Sequence, residues 1–215
     1  MAVTRAWWPS QHYSGGGLSP RVIAFHTTEG SQTAESLRNW LTNPSSKVSY
    51  HFAADMSHGD NWVANYVRTS DRAWAQANFN GAAVSIAFCT PQGGANWSRD
   101  TWLSKGAMLT AAGRLAGELA RQFNIPRTQL SSSQAQGSGR GFCEHKNFGA
   151  GAATITTVAT ASRWTASWPS LAAQLHRQAA ARRHRPPGRR RGCRWTTSAS
   201  GTTPPWATCA PGSSR

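Results

Sequence analysis

Acidic residues are scarce in this chain. Its 215 residues include 8 Asp and Glu against 23 Lys and Arg, which gives a formal net charge of +15. A protein with this balance is expected to have an anionic partner, and nucleic acid, a membrane surface or a cell wall bearing teichoic acid would each qualify. The charge therefore indicates the sign of the partner but not its chemical class.

Cysteines and long apolar runs are also few. The four cysteines form no Cys-x-x-Cys pair and no dense framework, which argues against a zinc finger and a disulfide-stapled domain. Cys89 lies in an apolar segment and is expected to be a small core residue. No segment has the length and hydrophobicity of a signal peptide or a membrane span, so we expect the protein to be made in the cytoplasm without an export signal.

The charge is divided unevenly along the chain. Residues 1–151 contain every acidic residue and have a net charge of +5, whereas residues 152–215 contain ten arginines, no acid and a net charge of +10. We predict a folded domain over 1–151 and an irregular, Arg-rich, disordered tail over 152–215, in which only 170–183 has a helical pattern.

The predicted domain contains both strands and helices. Apolar and β-branched runs predict strands at 21–26, 49–53, 62–67 and 83–89, with the second and third forming an antiparallel pair. Two helices are predicted, one over 101–123 and one that is capped by Ser31 or Thr33 and places Leu37, Trp40 and Leu41 on one face. The Ser- and Gly-rich segment 131–141 is predicted to be a loop. This order indicates an α/β or α+β sandwich, of which we predict the α/β fold with a central mixed β-sheet flanked by helices.

Two histidines occupy positions from which they could begin a metal site. His26 ends the apolar run 21–26, and His145 lies in the segment Gly-Phe-Cys-Glu-His-Lys at 141–146. A histidine at the end of a buried strand can hold its imidazole rigidly in a cleft, and neutral imidazole is a favoured zinc ligand. A lone histidine is more often an ordinary polar residue at the end of an element, but the surroundings of this pair favour a zinc site.

Those surroundings consist of short motifs in a fixed order. They are His-Thr-Thr-Glu-Gly at 26–30, Val-Ser-Tyr-His-Phe at 48–52, Asp-Arg-Ala-Trp-Ala at 71–75, Asn80 with the strand 83–89, and Cys-Glu-His at 143–145. In order and spacing, the chain from about residue 22 to 151 resembles the zinc-dependent N-acetylmuramoyl-L-alanine amidases. That family shares its fold with peptidoglycan-recognition proteins and many phage endolysins. The resemblance implies the same fold and cleavage of the amide bond between N-acetylmuramic acid and L-alanine in peptidoglycan.

The resemblance assigns roles to five residues. His26 and His145 correspond to two histidine ligands of a catalytic Zn²⁺, which activates water. Tyr50 corresponds to a tyrosine whose hydroxyl stabilises the developing oxyanion, although packing as a half-buried strand aromatic accounts for it equally well. Trp74 and Asn80 correspond to residues on the substrate side, where tryptophan suits the faces of sugars.

Two features of the family are missing from the sequence. Many relatives carry a glutamate general base in an Ile-Gly-Ile-Glu strand, where this chain has Val-Ser-Ile-Ala ending at Ala87. The third zinc ligand, an Asp or Cys, should lie near residue 156, where Thr156 and Thr157 stand, and a threonine hydroxyl is a poor zinc ligand. We expect His51 to pack or hydrogen-bond behind the site, and Glu29 to act at the entry of a helix or as a partner of the metal ligands rather than as a base.

A frameshift in the gene is a second interpretation of the tail. Codons for residues 152–166, taken one base earlier, permit Gly-Gly-Asn-His-Tyr-Asp-Cys-Gly-Asp-Gly-Phe-Pro-Met-Asp-Arg, which contains the ligand segment that the family has there. The Arg, Ala, Pro and Gly bias of 152–215 fits an out-of-frame, GC-rich gene. This interpretation predicts an actinobacterial phage or prophage origin and the loss of the ligand segment from the chain.

Three functions follow from these observations. The resemblance favours a monomeric zinc amidase of the phage-lysin type, which acts on the cell wall after release and has no membrane span. The missing ligand and Ala87 favour a catalytically impaired module that still binds peptidoglycan. A nucleic-acid binder has the least support, because no groove-reading motif accompanies the arginines, and no specific nucleic-acid partner is expected.

Overall fold

A six-stranded mixed sheet forms the centre of the domain in the computed structural model, which describes residues 2–152. Its strands are β1 (Thr4–Trp7), β3 (Val22–Thr27), β4 (Phe52–Ala54), β5 (Trp62–Asn65), β7 (Ala83–Phe88) and β8 (Gly141–Glu144). Their spatial order is β1-β5-β4-β7-β3-β8, and only β4 and β5 are antiparallel neighbours. Two short strands, β2 (Tyr13–Ser14) and β6 (Arg72–Ala73), form a separate antiparallel pair. The predicted central mixed sheet is confirmed.

Helices cover both faces of this sheet. They are α1 (Ala34–Leu41), α2 (Arg99–Ser104), α3 (Gly106–Gln122) and α4 (Ser132–Gln136). One face packs against α3 and buries the larger apolar side chains, such as Phe25 and Ile86. The other face packs against α1 and carries small residues, such as Ala53 and Ala87. Because residues alternate between the two faces of a strand, the central strands are apolar on both sides and read as continuous apolar runs.

Both helix predictions need a correction. The predicted helix over 101–123 is two helices, because the chain leaves helical geometry at Lys105, with φ −88° and ψ 39°. Thr33, one of the two proposed caps, is the N-cap of α1. Trp40 is predicted on the same face as Leu37 and Leu41, but its side chain is 49% exposed. Leu37 and Leu41 lie one turn apart and make the contact with the sheet, and Trp40 lies beside that stripe.

Two other segments differ from their predicted form. The strand predicted over 49–53 begins only at residue 52, because Ser49 bonds outside the sheet: its N–H donates to Trp74 O and its hydroxyl to His12 O. The segment 131–141 is not all loop. Ser131 and Gln134 form a reciprocal capping box that starts α4, and β8 follows.

Several predictions fall beyond the described residues. They are the disordered tail, the helical pattern at 170–183 and the third zinc ligand near Thr156. Cys89 is a buried thiol, as expected of a small core residue, and Cys143 is buried as well. Within residues 2–152 no helix is long and apolar enough to cross a membrane.

Candidate active site

The two candidate zinc ligands meet at the carboxyl ends of neighbouring strands. His26 lies near the end of β3, and His145 directly follows β8, which runs parallel to β3. Phe25 pairs with Glu144, so that the two histidines come level with each other. The centroids of their rings are 4.9 Å apart, with an angle of 61° between the planes. The fold therefore brings together two residues that are 119 positions apart in the sequence.

His26 has the chemical state that a metal ligand needs. Its side chain is buried, and burial together with the nearby His145 and His51 holds the pKa of His26 well below its ordinary value of 6.5. The ring is therefore neutral at neutral pH. Its Nδ1 is buried and has no hydrogen-bond partner among residues 2–152, whereas its Nε2 lies 3.0 Å from the amide nitrogen of Gln76. A neutral ring with one unpartnered nitrogen fits a zinc ligand.

Tyr50 lies beside His26. The ring centroids of Tyr50 and His26 are 5.1 Å apart, and the Tyr50 side chain is buried in the apolar cluster between α1 and the sheet. Tyr50 precedes β4 rather than lying within it, so the strand predicted over 49–53 does not position its side chain. Contacts to this cluster nevertheless place the ring next to the histidine pair, and its catalytic role stays a prediction.

No carboxylate occupies the sheet position next to His26. Ala87 pairs with His26 on one side and with Ala53 on the other, so it lies on the same face of the sheet as His26. Glu29 lies nearby in sequence, but its two oxygens accept the backbone N–H groups of Gly93 and Ala95, both at 2.8 Å. Glu29 therefore anchors a neighbouring loop, and the expectation that it is not a base stays a prediction.

Both ring nitrogens of His51 are hydrogen-bonded within the fold. Its Nδ1 accepts the backbone N–H of Ser85 at 3.0 Å, and its Nε2 donates to the carbonyl of Asp71 at 3.0 Å. These partners fix its proton on Nε2. Burial lowers the pKa of His51 to about 4, against the raising effect of the Asp71 carbonyl and carboxylate. We call His51, Ser85 and Asp71 the His51 network.

The two predicted substrate residues lie in one loop region with a structural function of its own. The indole N–H of Trp74 donates to Ser14 Oγ at 2.9 Å. The side-chain oxygen of Asn80 accepts the backbone N–H groups of Ala75 at 3.0 Å and Gln76 at 2.6 Å. Asn80 thus holds the turn that carries Gln76 to His26, and contact of either residue with substrate stays a prediction.

Gln76 was not predicted from the sequence. A glutamine in a loop has no periodicity, and no motif singles it out. The nearby Asn80 was the available signal, because asparagine often bonds the backbone of a tight turn.

A second group of potential ligands lies elsewhere in the domain. Among residues 2–152, Glu35, Asp55 and His58 are the only three His, Cys, Asp or Glu side chains within ligand distance of one another. His58 Nε2 is 3.1 Å from Glu35 Oε1, and His58 Nδ1 is 3.0 Å from Asp55 Oδ1. Asp55 also accepts the backbone N–H groups of Ala34 and Ser57. These contacts tie the β4–β5 turn to the start of α1, so the cluster is explained without a metal.

Comparison with known proteins gives one family. The model of the N-acetylmuramoyl-L-alanine amidase family matches residues 16–190, which extends past the predicted boundary at 151. No match is found among curated protein sequences.

Solved structures share the fold at low sequence identity. A mutant endolysin from Bacillus subtilis is 16% identical with a TM-score of 0.50, and the match covers 80% of this chain and 99% of that chain. The Staphylococcus aureus hydrolase AmiA, in complex with its ligand, is 9% identical with a TM-score of 0.57, and the match covers 85% of each chain. The catalytic domain of XlyA is 17% identical with a TM-score of 0.50, and the match covers 81% of this chain and 99% of that chain. Because the family model matches most of its length, the chain belongs to the N-acetylmuramoyl-L-alanine amidases and is a peptidoglycan amidase.

Proposed function

We propose that this amidase depends on Zn²⁺ held by His26 and His145. The observation that carries the proposal is the pair itself: two imidazoles at the ends of adjacent parallel strands, with ring centroids 4.9 Å apart. Nδ1 of His26 has no hydrogen-bond partner among the described residues. A zinc ion bound there would polarise the lactyl carbonyl of N-acetylmuramic acid and lower the pKa of water toward neutrality.

The chain's own residues orient the substrate and stabilise charge. Because Tyr50 lies beside His26, its hydroxyl is the candidate donor to the oxyanion that develops on the attacked carbonyl. Trp74 and Asn80 would contact the glycan and stem peptide from the neighbouring loop. The residue paired with His26 on β7 is Ala87, which has no carboxylate. This position therefore supplies no general base for the attacking water.

The third ligand is the incomplete part of the proposal. Thr156 and Thr157 stand where the family has an Asp or Cys. We propose that a frameshift near Gly151 removed the ligand segment, and that the domain 1–151 is followed by an out-of-frame tail. The phage and actinobacterial origin, the monomeric state and the action on the wall after release from the cytoplasm belong to the same proposal.

A second function is favoured by one observation. Ala87 in register with His26, together with the threonines near residue 156, is the pattern expected of a module that binds peptidoglycan without cleaving it. The two functions differ in zinc content and in the release of peptides.

The test compares the full chain with a frame-restored chain. We expect the restored chain to hold one zinc ion per molecule and to release stem peptides with free L-alanine amino groups from purified cell walls. The present chain should bind zinc more weakly and cleave more slowly, because it lacks an anionic ligand. His26→Ala in the restored chain is the matched control and should not cleave. Equal zinc content and equal cleavage by both chains would contradict the frameshift. Wall binding without cleavage by either chain would establish the binding module instead.

A further inference from the structure

Gln76 is a buried side chain that contacts the candidate zinc ligand His26. Its residue is fully buried, and its side-chain amide lies 3.0 Å from Nε2 of His26. The other atom of the amide group, Oε1, is buried and has no hydrogen-bond partner among residues 2–152. A buried polar atom without a partner destabilises the folded state, so a glutamine at this position calls for an explanation.

The contact leaves one nitrogen of His26 for a metal. Nε2 is occupied by the amide of Gln76, so Nδ1 is the nitrogen that can become a ligand. An imidazole nitrogen binds a metal through its lone pair, and in the neutral ring this requires the proton to lie on the other nitrogen. His26 can therefore act as an Nδ1 ligand only if Nε2 carries the proton and donates it to an acceptor.

The amide of Gln76 can supply that acceptor. The oxygen and nitrogen of a carboxamide have nearly the same shape, and their assignment follows from the hydrogen bonds rather than from the positions of the atoms. With the amide turned over, Oε1 lies about where Nε2 of Gln76 is placed, at hydrogen-bond distance from the protonated Nε2 of His26. An outer partner of this kind fixes the tautomer and orientation of a metal-bound histidine.

The loop that carries Gln76 is held in place from two sides. Asn80 accepts the backbone N–H of Gln76, and the Phe79 ring stacks on Phe148 with centroids 4.7 Å apart. Phe148 belongs to the 3₁₀ segment His145–Ala152, which begins at the second candidate ligand. The loop is thus anchored to the segment of one histidine and contacts the ring of the other.

We propose that Gln76 is a positioning residue that keeps the proton of His26 on Nε2 and leaves the Nδ1 lone pair for zinc. The consequence for zinc rests on the proposed function, whereas the tautomer of His26 can be measured without any metal.

The experiment measures ring tautomers in the zinc-free full chain at pH 7.5 by two-bond ¹H–¹⁵N correlation NMR. His51 is an internal reference, because Ser85 N–H and the Asp71 carbonyl fix its proton on Nε2. We expect His26 to show the same Nε2–H pattern in the unsubstituted chain. Gln76→Leu has nearly the same size but no acceptor, so His26 should become a mixture of tautomers while His51 stays unchanged. Gln76→Glu keeps an acceptor and should keep the Nε2–H pattern.

Zinc affinity is the second readout, measured by competition with a chelator. We expect Gln76→Leu to bind zinc about 10–100-fold more weakly than the unsubstituted chain, and Gln76→Glu to stay within a few-fold of it. If His26 in the unsubstituted chain carries its proton on Nδ1, or if Gln76→Leu changes neither tautomer nor affinity, the inference is wrong. The expected tautomers without zinc binding by any chain would support the role of Gln76 and count against the proposed zinc site. Should Gln76→Leu not fold, the unsubstituted chain and Gln76→Glu decide, since both must show Nε2–H.

Discussion

His26 and His51 are both buried histidines, and they differ in how their ring nitrogens are bonded. In both, burial lowers the pKa and leaves a neutral ring. Both nitrogens of His51 are bonded within the fold, to Ser85 and Asp71, whereas Nδ1 of His26 has no partner among residues 2–152. Burial and a lowered pKa therefore do not distinguish a ligand from a core histidine. A buried ring nitrogen without a hydrogen-bond partner is what distinguishes the candidate ligand from the core histidine.

The largest expected effect is the loss of a histidine of the pair. We expect His26→Ala and His145→Ala each to lower zinc affinity and the rate of peptide release by at least about 100-fold, because losing a ligand should cost more than losing its outer partner. The measurements are a zinc titration and an assay on purified walls. The matched control is His58→Ala, which removes a histidine from the other potential ligand group. Zinc binding that survives in His26→Ala but disappears in His58→Ala would reverse the assignment.

His51→Ala should lower the stability of the fold rather than its affinity for zinc. The substitution leaves a cavity and two buried backbone groups without a partner, so we expect it to lower the free energy of unfolding by about 3–4 kcal/mol. Zinc should still bind to the fraction that is folded. Denaturant unfolding measures the stability, and a change below about 1 kcal/mol would mean that the His51 network does not support the fold.

Stability should fall as the pH is lowered below the ordinary histidine value. The unfolded chain protonates His51 near pH 6.5, whereas the folded chain does so at about 4. The unfolded state therefore binds more protons in this window, and stability is complete above pH 6.5 and is lost as the pH falls toward 4. His51 should account for about 3 kcal/mol, and His26 acts in the same direction. Unfolding of zinc-free protein at pH 7 and pH 4.5 tests this, and His51→Ala should show a smaller pH dependence.

Tyr50→Phe should have the smallest effect of the four. If the hydroxyl stabilises the oxyanion, its removal should lower the cleavage rate by about 10-fold or somewhat more and change stability by less than about 1 kcal/mol. The phenylalanine ring keeps the apolar contacts of the buried cluster. Equal cleavage rates for the two proteins, measured on purified walls with zinc in excess, would show that Tyr50 has only a packing role.

The sequence predicted the centre of the sheet better than its surroundings. The strands at Val22–Thr27 and Ala83–Phe88 are buried on both faces, so an uninterrupted apolar run identifies them. The two-residue strands β2 and β6 have no such signal, and their pairing depends on contacts distant in sequence. The short helix Ser132–Gln136 lies in a polar segment, where only its capping box could have indicated it.

In the candidate site, too, the sequence predicts some residues and misses others. His26 and His145 stand in recognisable motifs, and the pairing of Phe25 with Glu144 brings them level. Gln76 acts through a contact with a residue 50 positions away, which no local pattern indicates. Helical spacing predicts Trp40 on one face of α1 with Leu37 and Leu41, but these two leucines make the contact with the sheet and Trp40 is exposed.

A zinc titration followed through the ring nitrogens of all histidines tests the central claim most directly. With ¹⁵N-labelled full chain, we expect added zinc to move the resonances of His26 and His145 together, with saturation at one ion per chain. The resonances of His51 and His58 should stay in place, because their nitrogens already have partners within the fold. Movement of His58 with His26 unchanged, or no response from either member of the pair, would contradict the account.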